Sequence, residues 1–179
     1  MNFTSYKYWL NEKFTDESDP VQDLGIGIKS LIEKWLAEHK IVSYTLDKNL
    51  FISAEKSVTI HLDDNCTELP RYIKFKTVNN AFYINNYQNL TTLRGCPEKV
   101  GGFFSCNNCN LKSLKYSPKK ARDFVCWHDN DFRHTHKNIT YFTYEDVLKV
   151  CNVTGYIYDD IGQYEIKLKK YIDNWGMKQ

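Results

Sequence analysis

The chain has 179 residues, with 24 Lys and Arg against 22 Asp and Glu, a formal net charge of +2, and a high aromatic content that includes 13 Tyr and 10 Phe. That length bounds one domain or a capped repeat array with room for a core, and the small net charge decides nothing about nucleic acid. No apolar run approaches the ~18 residues of a membrane span, and Met1-Asn2-Phe3-Thr4-Ser5-Tyr6-Lys7 lacks the apolar stretch of a secretory signal. The expected setting is the cytoplasm, where Cys66, Cys96, Cys106, Cys109, Cys126 and Cys151 stay reduced.

In chain order, Phe3 to Phe14 reads as a weak amphipathic helix or loosely ordered arm, and Thr15 to Asp19 as an acidic loop. Asp19-Pro20 is a helix start, with Asp as N-cap and Pro in the first turn. Leu24, Ile28, Leu31, Ile32, Trp35 and Leu36 fall on one face of a helix that runs to about Glu38. The Gly25-Ile26-Gly27-Ile28-Lys29-Ser30 run lacks the spacing of a phosphate-binding loop, and the helical pattern continues through it. Val42 to Leu46 and Leu50 to Ile52 flank Asp47-Lys48-Asn49 as a short hairpin that leads to a first strand at Val58 to Leu62.

From Val58 to Phe132 the chain repeats itself. Leu90, Leu93, Pro97, Val100 and Phe103 recur as Leu111, Leu114, Pro118, Ala121 and Phe124 at a spacing of 21, and Val78 to Asn86 matches Val100 to Asn108 at 22. A degraded copy at Ile60 to Asn65, followed by Leu69-Pro70, precedes them. A fixed period of this size, with Leu-x-x-Leu, a short strand and an Asn position, is the pattern of a leucine-rich repeat. The fold class expected is α/β: a small leucine-rich-repeat-like solenoid of about four repeats of 21–22 residues, spanning 58–132. Residues 1–57 form an N-terminal helix and hairpin cap and 133–179 a C-terminal helical cap, all as one structural unit.

Strand alternation then assigns the faces. Phe82 and Ile84, Phe104 and Cys106, and Val125 and Trp127 are expected inside, with the four leucines on the return path. Thr59, His61 and Asp63, Ala81, Tyr83 and Asn85, Phe103, Ser105 and Asn107, and Phe124, Cys126 and His128 are expected outside. Asn65, Asn108 and Asp129 are placed to bond the backbone of the bend that follows each strand. A solvated sheet face is ordinarily polar, so an aromatic one predicts a partner-binding surface of His61, Tyr83, Asn85, Phe103, Ser105, Phe124 and His128.

Beyond the repeats, Arg133-His134-Thr135-His136-Lys137 reads as a polar, basic loop. Thr143-Tyr144-Glu145-Asp146 has the form of a capping box before a short helix that buries Val147, Leu148 and Cys151. Gly155 to Tyr158 reads as a last strand. Ile161, Tyr164, Leu168, Tyr171, Ile172 and Trp175 recur at helical spacing, giving a terminal helix that stops at Gly176.

The repeat pattern, clearest at Leu90, Leu93, Gly95, Pro97, Val100, Gly101, Gly102, Phe104, Cys106 and Asn108, resembles the short leucine-rich-repeat proteins encoded by large tailed bacteriophages. Lys13 to Pro20, leading into Gly25-Ile26-Gly27, is similar to the leader before such repeats. This chain departs from the pattern at Arg122-Asp123, where the last copy lacks the Gly-Gly, and at Phe103, which stands where an Asp is usual. The resemblance implies a non-enzymatic interaction module that inhibits or modulates a host defence protein in the bacterial cytoplasm, with no catalytic residues.

Two further residue groups have the spacing of other chemistries. Cys106, Cys109, Cys126 and His128 have zinc-like spacing, but the expected register puts Cys106 inside and Cys126 outside, so no metal or cofactor is expected. Lys112, Lys115, Lys119, Lys120 and Arg122, interleaved with aromatics up to Lys137, give the alternative of a nucleic-acid-binding protein. A host or phage protein is the leading partner, nucleic acid the second, and no membrane is implied.

Overall fold

In the computed structural model, residues 25–63, 65–136 and 138–165 are described. The expected N-terminal arm, the Asp19-Pro20 cap and the part of the terminal helix beyond residue 165 lie outside them.

Helix α1 (Gly25–Glu38) runs through the glycines, as its apolar spacing predicts. Ile28, Leu31, Ile32, Trp35 and Leu36 form its buried face. The helix stops in a Schellman motif: Lys40 takes φ +56°, Lys40 N donates to Ala37 O (3.0 Å) and Ile41 N to Leu36 O (2.8 Å). The hairpin follows, with β1 (Tyr44–Leu46) antiparallel to β2 (Ile52–Ala54). Asp47 Oδ1 accepts from Asn49 N and Phe51 N, which closes the turn.

From β2 onward the chain winds as a mixed α/β solenoid of two parallel sheets. Sheet 1 runs β1, β2, β4 (Phe75–Val78), β6 (Lys99–Val100), β8 (Lys120–Ala121) and β10 (Asn152–Val153). Sheet 2 begins with β3 (Val58–Thr59), β5 (Phe82–Tyr83) and β7 (Phe103–Ser105). It continues with β9 (Asp123–Val125), β11 (Tyr156–Tyr158) and β12 (Gln163–Glu165), the last antiparallel to β11. The described residues thus hold five strand pairs where about four rungs were expected, the fifth following helices α2 (Asn130–Thr135) and α3 (Tyr144–Val150). Sequence reading found one strand per repeat; each coil contributes two, because the Val78 and Val100 positions also pair across coils.

Stacking rather than helix propensity holds the core together. Phe75 and Phe82 (centroids 5.4 Å apart), Phe82 and Phe104 (5.9 Å), and Phe104 and Phe124 (5.1 Å) make a continuous aromatic column, and Trp35 of α1 meets Phe75 at 6.3 Å. Burying each ring contributes about 1.5–3 kcal/mol, and each favourable ring pair about 0.5–1.5 kcal/mol more. Leu90, Leu93, Leu111 and Leu114 fill the return side, as their period predicts.

The corner between the sheets sets the register. Val78 pairs with Val100 and Phe82 with Phe104, so residues 79–81 and 101–103 form equivalent three-residue corners. Between Ala121 and Phe124 only Arg122 and Asp123 intervene, and Phe104 pairs with Phe124. The leucine columns therefore repeat at 21 while sheet 2 advances by 20 in that coil. A slip of one residue exchanges the faces of a strand. Phe124, Cys126 and His128, expected outside, are buried; Val125 and Trp127, expected inside, point out.

Gly101 allows one of the three-residue corners to nest, since a Cβ there would collide with the Asn79 carbonyl of the coil before. Gly101→Val is expected to lower stability by about 1–3 kcal/mol or more. Gly27→Ala, in a helix with open space around it, should be neutral or stabilise by up to about 1 kcal/mol. Paired thermal melts check this contrast.

Three local expectations need correction. Residues 133–135 belong to α2 rather than a loop, because Asp129 Oδ1 accepts from Phe132 N and caps that helix. Residues 163–165 form β12 instead of opening a helix, satisfying the free edge of β11, and Ile161 is exposed. The capping box at Thr143 and Asp146 is present and Val147 is buried, but Leu148 faces outward.

Candidate functional site

The outer face of sheet 2 gathers aromatic and apolar side chains in adjacent rungs. One row across it runs Thr59, Tyr83, Ser105, Val125, Tyr158 and Gln163 in direct register. Phe103 and Tyr156 flank this row on one side and Trp127 on the other. Tyr83, Phe103, Val125, Tyr156 and Tyr158 are half-buried, and Trp127 is 37% exposed. Tyr156 and Tyr158 lie 6.1 Å apart between ring centroids, and the Arg122 guanidinium lies over the Phe103 ring at 4.9 Å.

Polar groups hold these rings in place. Arg122 Nε donates to Asp123 Oδ2 (2.6 Å), and the buried Asp123 accepts from Tyr156 N (2.8 Å). Ser105 Oγ donates to Asn85 Oδ1 (2.9 Å), which also accepts from Asn107 N (3.0 Å). With its amide oriented to satisfy both neighbours, Asn107 accepts from Trp127 Nε1 (3.2 Å) and donates to Val125 O (3.3 Å). The indole is therefore positioned by a hydrogen bond at one edge and still offers its body to solvent, as interface anchors do.

Of the residues expected to bind a partner, Tyr83 and Phe103 lie on this face, Asn85 is half-buried in the ladder beneath it, and His61 is exposed. Ser105 occupies an outward position but is covered. Phe124 and His128 belong to the interior. Val125, Trp127, Tyr156 and Tyr158 were missed; the missing Gly-Gly at Arg122-Asp123 was the signal that the last corner differs.

His128 instead fastens the last coil. Its Nδ1 meets Asp160 Oδ2 at 3.0 Å, its Nε2 meets Cys109 O at 3.1 Å, and its ring stacks on Phe132. Arg133 completes the cluster with a 2.7 Å bond to Asp160 Oδ1. Burial alone pulls the imidazole toward its neutral form, but the Asp160 carboxylate and the Cys109 carbonyl outweigh this and raise its pKa. For Asp160, burial acts upward, yet hydrogen bonds from His128 and then Arg133 leave its pKa below the ordinary carboxylate value.

At the bend after each strand, Asn108 Nδ2 donates to Asn86 Oδ1 (3.0 Å) and Asp129 Oδ2 (2.6 Å), while Asn108 Oδ1 accepts from Asp129 N (2.9 Å). Asn86 and Asn108 both take positive φ, the conformation Asn tolerates best after Gly. Bonding of backbone N–H groups by Asn108 and Asp129 is the role foreseen for them; the side-chain ladder from Asn86 through Asn108 to Asp129 was not.

The zinc-like residues are engaged elsewhere. Cys106 and Cys126 are both inside, correcting the expected separation. Cys109 Sγ donates to Ile84 O (3.1 Å), and burial pushes its thiol up to about 12. Among the described residues, no three His, Cys, Asp or Glu side chains gather as a metal would require.

The basic residues of the alternative reading sit on three parts of the coil. Lys112 and Lys115 lie on the return after β7, where Lys112 bonds Asn110 and Asn138. Lys119 and Lys120 are at β8 in sheet 1, and Arg122 is at the corner, turned onto Phe103. No described helix is long and apolar enough to cross a membrane. Compared with family models, curated proteins and solved structures, the chain matches none.

Proposed function

We propose that this protein is a non-enzymatic protein–protein interaction module, a small leucine-rich-repeat-like solenoid that docks a partner on the outer face of sheet 2. One observation carries the reading: Tyr83, Phe103, Val125, Trp127, Tyr156 and Tyr158 share a face that water reaches, where polar residues would suffice for folding. Tyr, Trp and Arg are the residue types that dominate binding hot spots, and Arg122 sits at the rim of these rings. The Asn ladder and the leucine period support the repeat assignment.

The resemblance to phage-encoded repeat proteins gives the partner its identity in this proposal: a host protein of the bacterial cytoplasm, such as a defence effector, blocked sterically. The test is affinity capture from bacterial cells with nuclease treatment, using the wild-type chain and a Trp127→Asp/Tyr158→Asp variant. One stoichiometric protein is expected on the wild type and at least a hundredfold weaker binding on the variant, with unchanged circular dichroism. Equal capture by both chains would refute the assignment of the face.

A further inference from the structure

The outer face of sheet 1 has a different chemistry. Its central row runs Ser53, Thr77, Lys99, Lys120 and Asn152 in register. Lys99 and Lys120 are direct ladder neighbours, both exposed, each followed by a buried residue that fixes it outward. Parallel strands lie about 4.8 Å apart, so the two lysine side chains leave the sheet from adjacent backbone positions. Like charges opposite one another in a sheet are destabilising.

Other cations surround the pair. Lys119 is 80% exposed with only a long contact to Glu98 (3.6 Å), and Lys76 reaches Asp47 at 3.4 Å. Those two acids are thus each engaged by a neighbouring lysine, whereas among the described residues no acid forms an ion pair with Lys99 or Lys120. Thr77 and Asn152 flank the lysine pair as neutral hydrogen-bonding groups.

We infer that the Lys99–Lys120 face of sheet 1 binds the phosphate backbone of a nucleic acid without reading its sequence. Lysine supplies point charges that suit successive phosphates, and Thr and Asn side chains are common secondary phosphate contacts. The lysines on the return, Lys112 and Lys115, take no part. This surface lies on a different sheet from the aromatic one, so the inference goes beyond the protein-docking reading and does not depend on it.

Fluorescence anisotropy of the full chain with a fluorescein-labelled 20-nucleotide single strand, as DNA and as RNA, tests it across a salt series. The wild type should bind with a steep salt dependence, and Lys99→Gln/Lys120→Gln should bind at least tenfold more weakly. The log–log salt slope of that variant should be shallower by about 1.4, the loss of two phosphate contacts on a single strand. Its melting temperature should hold or rise, since a repulsion is removed. Trp127→Ser/Tyr158→Ser, which leaves the net charge unchanged, should bind the oligonucleotide as the wild type does. No salt-dependent binding at low salt, equal binding by the lysine variant, or loss of binding in the aromatic variant would each overturn the inference.

Discussion

Phe124→Ala is expected to destabilise the protein by about 3–5 kcal/mol, the range for removing a fully buried aromatic ring. Phe124 is completely buried, touches Phe104 at 5.1 Å between centroids, and carries the column toward the last coil, where Ile157 pairs with it. Phe103→Ala, one position before the core residue of the preceding coil, should cost far less because that ring is half-exposed under Arg122. Urea denaturation of the two variants measures the difference. A register in which Phe124 pointed outward as Phe103 does would give two similarly small losses, so this pair tests the short corner at Arg122-Asp123 directly.

Asp160→Ala should cost about 3–5 kcal/mol, because it leaves the buried His128 and the Arg133 guanidinium without their shared carboxylate. The same cluster makes stability depend on pH. The folded-state pKa of His128 is raised above 6.5, so its contribution is complete below about pH 6.5 and is lost as pH rises through the folded value. That of Asp160 is depressed below 3.8, so its contribution is present above that value and lost as pH falls through the folded one. The wild type should therefore lose stability as pH rises from about 6.5 through the folded-state value of His128. Asp160→Asn should be less stable throughout and show a flatter profile in that window. Denaturation midpoints measured from pH 5 to 9 decide it, and parallel profiles would show that the pair does not titrate as described.

The sequence was most legible where one period governed burial. Leu90, Leu93, Leu111 and Leu114 sit where a 21-residue spacing puts them, and the face of α1 follows its 3.6 period. Local capping chemistry was equally readable at Thr143 and Asp146. It failed where alternation was silent. Phe124-Val125-Cys126-Trp127 is apolar at every position, so either face could be the core, and corner length alone decided between them. Arg122 is a bulky cation where the coil before has glycine; it could not nest in the corner, and its arrival with one residue fewer was a steric signal. Sheet 1 was invisible because β6, β8 and β10 have only two residues each, too few for a pattern. The β12 segment reads as a helix by spacing, but pairing with the edge of β11 outweighs that local preference.

Hydroxyl-radical footprinting of the chain, free and bound to the protein it captures, tests the central claim most directly. The account predicts that Tyr83, Phe103, Trp127, Tyr156 and Tyr158 react in the free chain and are protected together in the complex, while Tyr116 on the return keeps its reactivity. Protection of Tyr116 with the sheet 2 rings still reactive would contradict it and move the docking surface to the return segment.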